Sequence, residues 1–115
     1  MSKTNTNTTP TSRPHEAGIV EMLKADPDFA NDYLAAALDE VGEVGGQAAL
    51  LAALRHIAEA QGGMATVAAK AGVQRESLYR ALSANGNPTL KTMLAVLQAT
   101  GLHLSISRAP NMAAH

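Results

Sequence analysis

Residues 74–80 read Gln-Arg-Glu-Ser-Leu-Tyr-Arg. If Leu78 turns inward, the exposed side of a short helix presents Gln74, Arg75, Glu76, Tyr79 and Arg80 together. These side chains suit the reading of a DNA groove. Arginine can pair bidentately with the O6/N7 edge of guanine, glutamate can accept from cytosine N4, and glutamine or tyrosine can bond a phosphate or a base edge. Helix starts after Gly62-Gly63 and at Thr89 offer free backbone N–H groups for phosphates, and Lys70 and Lys91 add counter-charge. A plainer alternative is that Arg75, Glu76 and Arg80 form an exposed charge cluster with no partner chemistry.

Such a helix reads DNA only if its neighbours hold it outward. The preceding segment, Met64 to Ala71, is a short helix. Gly72 stands where a left-handed helix end is needed, Val73 turns the chain inward, and the next helix covers about Arg75 to Leu82 with Leu78, Ala81 and Leu82 beneath. Ala68 is small enough for the two helices to cross closely. Residues 63–82 therefore have the dimensions of a helix-turn-helix.

The rest of the chain supplies the support. Ile19, Met22 and Leu23 mark a short amphipathic helix from Glu16. Asp26 caps and Pro27 opens a second helix, whose stripe is Phe29, Tyr33, Ala36, Ala37 and Val41, widened by Leu34 and Leu38. A third carries Leu50, Leu51, Leu54, Ile57 and Ala58. After the loop Asn85 to Pro88, Thr89 caps a sixth helix, in which Leu90, Met93, Leu94 and Leu97 extend the core to Gly101. The glycine-rich connection from Gly42 to Gly46 has no explanation in the pattern. The last segment changes period: Leu102, Leu104 and Ile106 alternate with His103, Ser105 and Ser107. That predicts one strand over residues 102–108, with no second strand in the chain to pair it. The same strand of a second copy, related by a two-fold axis, is the simplest partner; the alternative is a loosely packed tail. The expected fold is all-α: a bundle of five to six helices with a helix-turn-helix, plus one C-terminal strand pairing across a dimer. Residues 15–109 form the domain, 1–14 a polar tail and 110–115 a flexible end.

Composition agrees with a helical domain and excludes much else. The chain has 115 residues, is 46% hydrophobic and has only three aromatic residues, so its burial rests on Ala and Leu. With no cysteine there can be no disulfide scaffold, thiolate metal site or cysteine nucleophile. His15, His56, His103 and His115 are scattered without ligand spacing, and His56 reads as a half-exposed helix residue. Asp39 and Glu40 do not face each other as an acid–base pair would. No metal, cofactor, small-molecule substrate or catalysis is expected. Apolar runs are too short to span a bilayer and the N-terminus lacks a signal-peptide pattern, so the expected location is cytoplasmic. The formal net charge of −1 conceals an asymmetry. Residues 16–43 hold eight carboxylates and Lys24, whereas residues 44–115 hold six cations against Glu59 and Glu76. An acidic front suits a basic protein and a basic rear suits phosphate.

From about Glu16 to Arg108, the strings ADPDFANDYLAAAL, ALLAALRHIAEAQGGMATVAAKAG, RESLYRALS and GNPTLKTMLAVLQATGLHLSI resemble the addiction-module antidote proteins, HigA-like antitoxins with an Xre-type, lambda-repressor-like helix-turn-helix. RESLYRALS followed by GNPTL is the most distinctive part. The resemblance implies a non-enzymatic dimer that binds the operator of its own two-gene module and neutralises a RelE/HigB-like ribonuclease toxin. It implies base reading by Arg75, Glu76 and Arg80 and backbone contacts by Gln74, Tyr79, Thr89 and Lys91, to which the reading of residues 74–80 adds Ser77; the period-two segment supplies the dimer strand through Leu102, Leu104 and Ile106. Two positions depart from the family pattern. Gln74 stands where a serine cap is common, and Met64 where a polar, phosphate-bonding residue is common. A stand-alone Xre-like regulator, or a protein-interaction module with a purely structural helix-turn-helix, would share much of the same sequence.

Overall fold

The computed structural model describes residues 12–108. Most of the expected N-terminal tail, and all of the expected flexible end at 110–115, lie outside them. The described residues form six helices: α1 (Ser12–Ala25), α2 (Phe29–Asp39), α3 (Gly46–Ala60), α4 (Met64–Ala71), α5 (Arg75–Ala81) and α6 (Leu90–Ala99). α1 starts at Ser12, ahead of the apolar spacing that announced it at Glu16. Pro14 is tolerated there because first-turn N–H groups have no intrahelical acceptor.

α3 is the hub. Eight of its fifteen residues are buried, among them Leu50, Leu51, Leu54 and Ile57. It packs against α1 and α2 on one side and α4 on the other, and α4 in turn carries α5 and α6. The most deeply buried large side chains, Leu51, Leu54, Ile57, Met64, Val67, Leu78, Leu82 and Val96, join these layers into one core. The Asp26-Pro27-Asp28 turn feeds α2 through bonds from the Phe29, Ala30 and Asn31 N–H groups to carbonyls three residues back. Asp26 was expected to cap this helix; the cap position falls at Asp28, whose side chain makes no capping bond. A tight first turn of i to i+3 bonds replaces the side-chain cap.

The ends of α3, α4 and α6 share one device. The N–H groups of Gly63, Val73 and Leu102 reach back five residues to the carbonyls of Ala58, Ala68 and Leu97. In each case the preceding glycine, at 62, 72 or 101, has positive φ. This is the Schellman arrangement, which satisfies carbonyls that the helix leaves open.

The connection from residue 42 to 46 acquires a physical reason. Gly45 is left-handed at φ +77°, and a Cβ on Gly46 would lie 2.0 Å from the Glu40 carbonyl oxygen. The start of α3 is pressed against the last turn of α2, and only glycine permits that approach. Gly42 has open space around it.

Three expectations change. On α6, Leu90 (66% exposed) and Leu94 (38%) do not join the core, which instead takes Val96 and Leu97 with Met93 at its edge. Spacing identifies an apolar face without saying how far the rest of the fold covers it, and here the face toward α4 is centred past Leu90. On α2, the helix stops at Asp39 and Val41 is 43% exposed. Finally, no strand occurs among the described residues. Leu102 packs on the core, but Leu104 and Ile106 are exposed. A strand exists through its ladder, and one chain holds no partner for residues 102–108.

Candidate functional site

α4 and α5 meet through the left-handed turn at Gly72 (φ 75°, ψ 27°). Ala68 is 2% exposed, which lets α4 lie close to its neighbours, while Leu78 and Leu82 are fully buried and pull the underside of α5 onto the core. Met64 is also buried at 2%. The departure from a polar residue there therefore serves packing, and a phosphate at this helix start would meet backbone amides instead.

With that underside fixed, Gln74, Arg75, Glu76, Tyr79 and Arg80 are all exposed, whereas Ser77 is half-buried. At 100° per residue, Arg75, Glu76, Tyr79 and Arg80 fall within an arc of about 140°. Arg75 and Glu76 pair at 4.0 Å with 59% and 73% of their side chains exposed. An ion pair so exposed contributes little and holds neither side chain in place. Gln74 sits at the start of α5 and makes no capping bond, so its amide is available for an outside partner. Thr89 does cap α6. Its oxygen accepts the Thr92 N–H at 3.0 Å and its hydroxyl bonds the Thr92 hydroxyl at 3.1 Å, which commits that side chain within the fold. Lys91 is exposed on the first turn of α6.

Two supports of α5 were not legible in the sequence. Arg55, half-buried on α3, donates from Nη1 to the Leu82 carbonyl at the end of α5. Gly86 folds back so closely that a Cβ would lie 2.0 Å from the Ala81 carbonyl oxygen. Gln47 of α3 also donates to the Gly86 carbonyl at 3.4 Å. Arg55 has no local spacing signal, because its contact joins α3 to the end of α5 across 27 residues.

Most of the exposed carboxylates gather on other elements. Glu21, Asp26, Asp28, Asp32, Asp39, Glu40 and Glu43 are all exposed on or beside α1 and α2. His56 is 8% exposed, not half-exposed as its helix position suggests. Its Nδ1 is hydrogen-bonded to the Tyr33 hydroxyl at 2.6 Å and its Nε2 lies 3.8 Å from Glu16, so this histidine ties α1, α2 and α3 together. Burial pushes the Tyr33 hydroxyl above its ordinary pKa of 10.0, Glu16 adds to the rise and Arg55 opposes it. A raised pKa in the folded state means that Tyr33 contributes stability in full below pH 10 and loses it as pH rises through the folded value. Thermal midpoints should therefore fall above about pH 10, and Tyr33→Phe should flatten that fall. An unchanged alkaline slope in the variant would contradict this role for Tyr33.

Among the described residues no three His, Asp or Glu side chains converge as a metal site requires, and no helix is long and apolar enough to cross a membrane. The geometry joins an exposed arginine-bearing helix to a separate acidic face, which suits binding at two surfaces. The family profile described as "Probable addiction module antidote protein" matches residues 15–108. The chain belongs to that family. An uncharacterized protein of Haemophilus influenzae is 42% identical over 59 residues, 51% of this chain. The match spans 60% of that relative's length. No solved structure matches the chain.

Proposed function

We propose that this protein is the DNA-binding antitoxin of a type II toxin–antitoxin module, of the HigA-like, Xre-type class. It represses its own operon and neutralises a RelE/HigB-like ribonuclease toxin. The carrying observation is the exposed α5 face, with Arg75, Glu76, Tyr79 and Arg80 projecting away from a fully buried Leu78. In this reading α4 and α5 are the helix-turn-helix and α5 is its recognition helix. Arg75, Glu76 and Arg80 read bases; Gln74, Ser77, Tyr79 and Lys91 contact the backbone, and the α6 start at Thr89 contributes backbone amides.

A two-fold dimer places one α5 in each of two half-sites. Residues 102–108 pair with their copy through a strand that carries Leu104 and Ile106, both exposed in the single chain. Between Arg80 and Arg108 the only ionisable side chains are Lys91 and His103, and Asp28 and Asp32 line the hollow beside His103 and Ser105. The acidic face of residues 16–43 would repel its own copy and suits a basic toxin instead. Charge reversal at Asp28, Asp32 and Asp39 together should weaken toxin binding by more than about tenfold and leave operator binding intact. Neutralisation untouched by the triple reversal would remove this face from the toxin interface.

If Arg75, Arg80 and Lys91 contact DNA in both protomers, log affinity should fall with log salt at a slope of about −5 or steeper. Co-expression with the adjacent gene tests the whole reading. That gene should be toxic alone and harmless beside this chain. No toxicity, or toxicity that this chain does not relieve, would overturn the antitoxin assignment.

A further inference from the structure

We infer that Arg55 is a positioning residue for DNA reading, setting the angle of α5 by holding the Leu82 carbonyl at its end. The inference rests on the reading of α5 as the recognition helix, although its structural half can be measured without DNA.

α5 has seven residues, fewer than two turns, and so short a helix has little stability of its own. No side chain caps its start, and of the other helices its backbone approaches only α4. Leu78 and Leu82 are fully buried and anchor the underside along one line, but apolar packing is non-directional and by itself leaves the helix some freedom to roll. A directional bond at its far end removes that freedom. At this end the Arg80 carbonyl accepts from the Ser83 N–H and hydroxyl, and the Leu82 carbonyl accepts from Arg55. The bond from Arg55 is charge-assisted and comes from α3, the best-buried helix of the fold, so it references α5 to the core. The guanidinium also lies where the α5 dipole favours a cation. Among the described residues no carboxylate comes within ion-pair distance of Arg55, so the Leu82 carbonyl is not competing with an acidic partner. Arg55 differs from Arg75 and Arg80 in being half-buried. It acts on DNA through α5 and not by contact.

The full-length wild type, Arg55→Met and Arg55→Lys should be compared in amide hydrogen exchange and in operator binding across a salt series. In Arg55→Met, the Leu82 and Ser83 amides should exchange about tenfold faster relative to buried α3 amides. Operator affinity should fall about tenfold or more with the salt slope unchanged. Arg55→Lys, which retains a cation and a donor, should recover part of both losses. Taking exchange as a ratio of α5 to α3 amides separates loss of this bond from general destabilisation. An unchanged ratio would overturn the inference, as would a salt slope reduced by about one per protomer, which would mark Arg55 as a phosphate contact. If the wild type binds no operator, the DNA reading fails, and the exchange ratio still decides whether Arg55 holds α5.

Discussion

Replacing Arg75 and Arg80 together by alanine should weaken operator binding by about two orders of magnitude or more while leaving the fold and toxin binding unchanged. Each arginine accounts for about 1–3 kcal/mol when it reads a guanine edge, and the pair lies on one exposed face of α5. Exposure predicts little structural cost, since neither guanidinium supports the core and the Arg75–Glu76 pair is open to water. The sequence dependence of the loss matters more than its size. Arg75→Ala should relax preference at one base position, whereas Lys91→Ala should weaken every sequence alike and make the salt slope shallower. Fluorescence anisotropy on the operator and on single-base variants separates the two. Equal loss on every sequence for Arg75→Ala would refute its role as a reader.

Gly46→Ala should destabilise the domain by about 3 kcal/mol, lowering the thermal midpoint by more than about 10 °C. The added methyl would meet the Glu40 carbonyl oxygen at 2.0 Å and the Val41 carbonyl oxygen at 2.8 Å. Both are backbone atoms at the end of α2, so relief requires the α2–α3 junction to open. Gly42→Ala is the matched control, with nothing within 4 Å of the added carbon and no positive φ. It should leave the midpoint within a few degrees or raise it, because alanine restricts the unfolded chain more than glycine does. Equal effects of the two substitutions in calorimetry would show that composition of the connection, and not close packing, governs its glycines.

The helices were legible because their signals are local. Leu78 and Leu82 could be assigned inward from spacing alone, and Gly72 from its place after a helix, since each rule spans only a few residues. The exposed face of α5 follows from the same assignment. Features joining distant segments were not legible. Arg55 reaches Leu82 across 27 residues, His56 reaches Tyr33 across 23, and the Gly46 contact depends on how α2 and α3 pack. Leu90 and Leu94 show another limit, for an apolar side chain looks the same in sequence whether it meets its own core or a second molecule. The period-two pattern at 102–108 is similar: alternation states a capacity for pairing, and one chain has nothing to pair with.

A hydroxyl-radical footprint of the protein on the DNA upstream of its own gene tests the central claim most directly. The account predicts two protected half-sites one helical turn apart, about 34–36 Å, related by an approximate palindrome and lost together in Arg75→Ala/Arg80→Ala. Uniform protection with no half-site pattern, or the same footprint from the double variant, would contradict it.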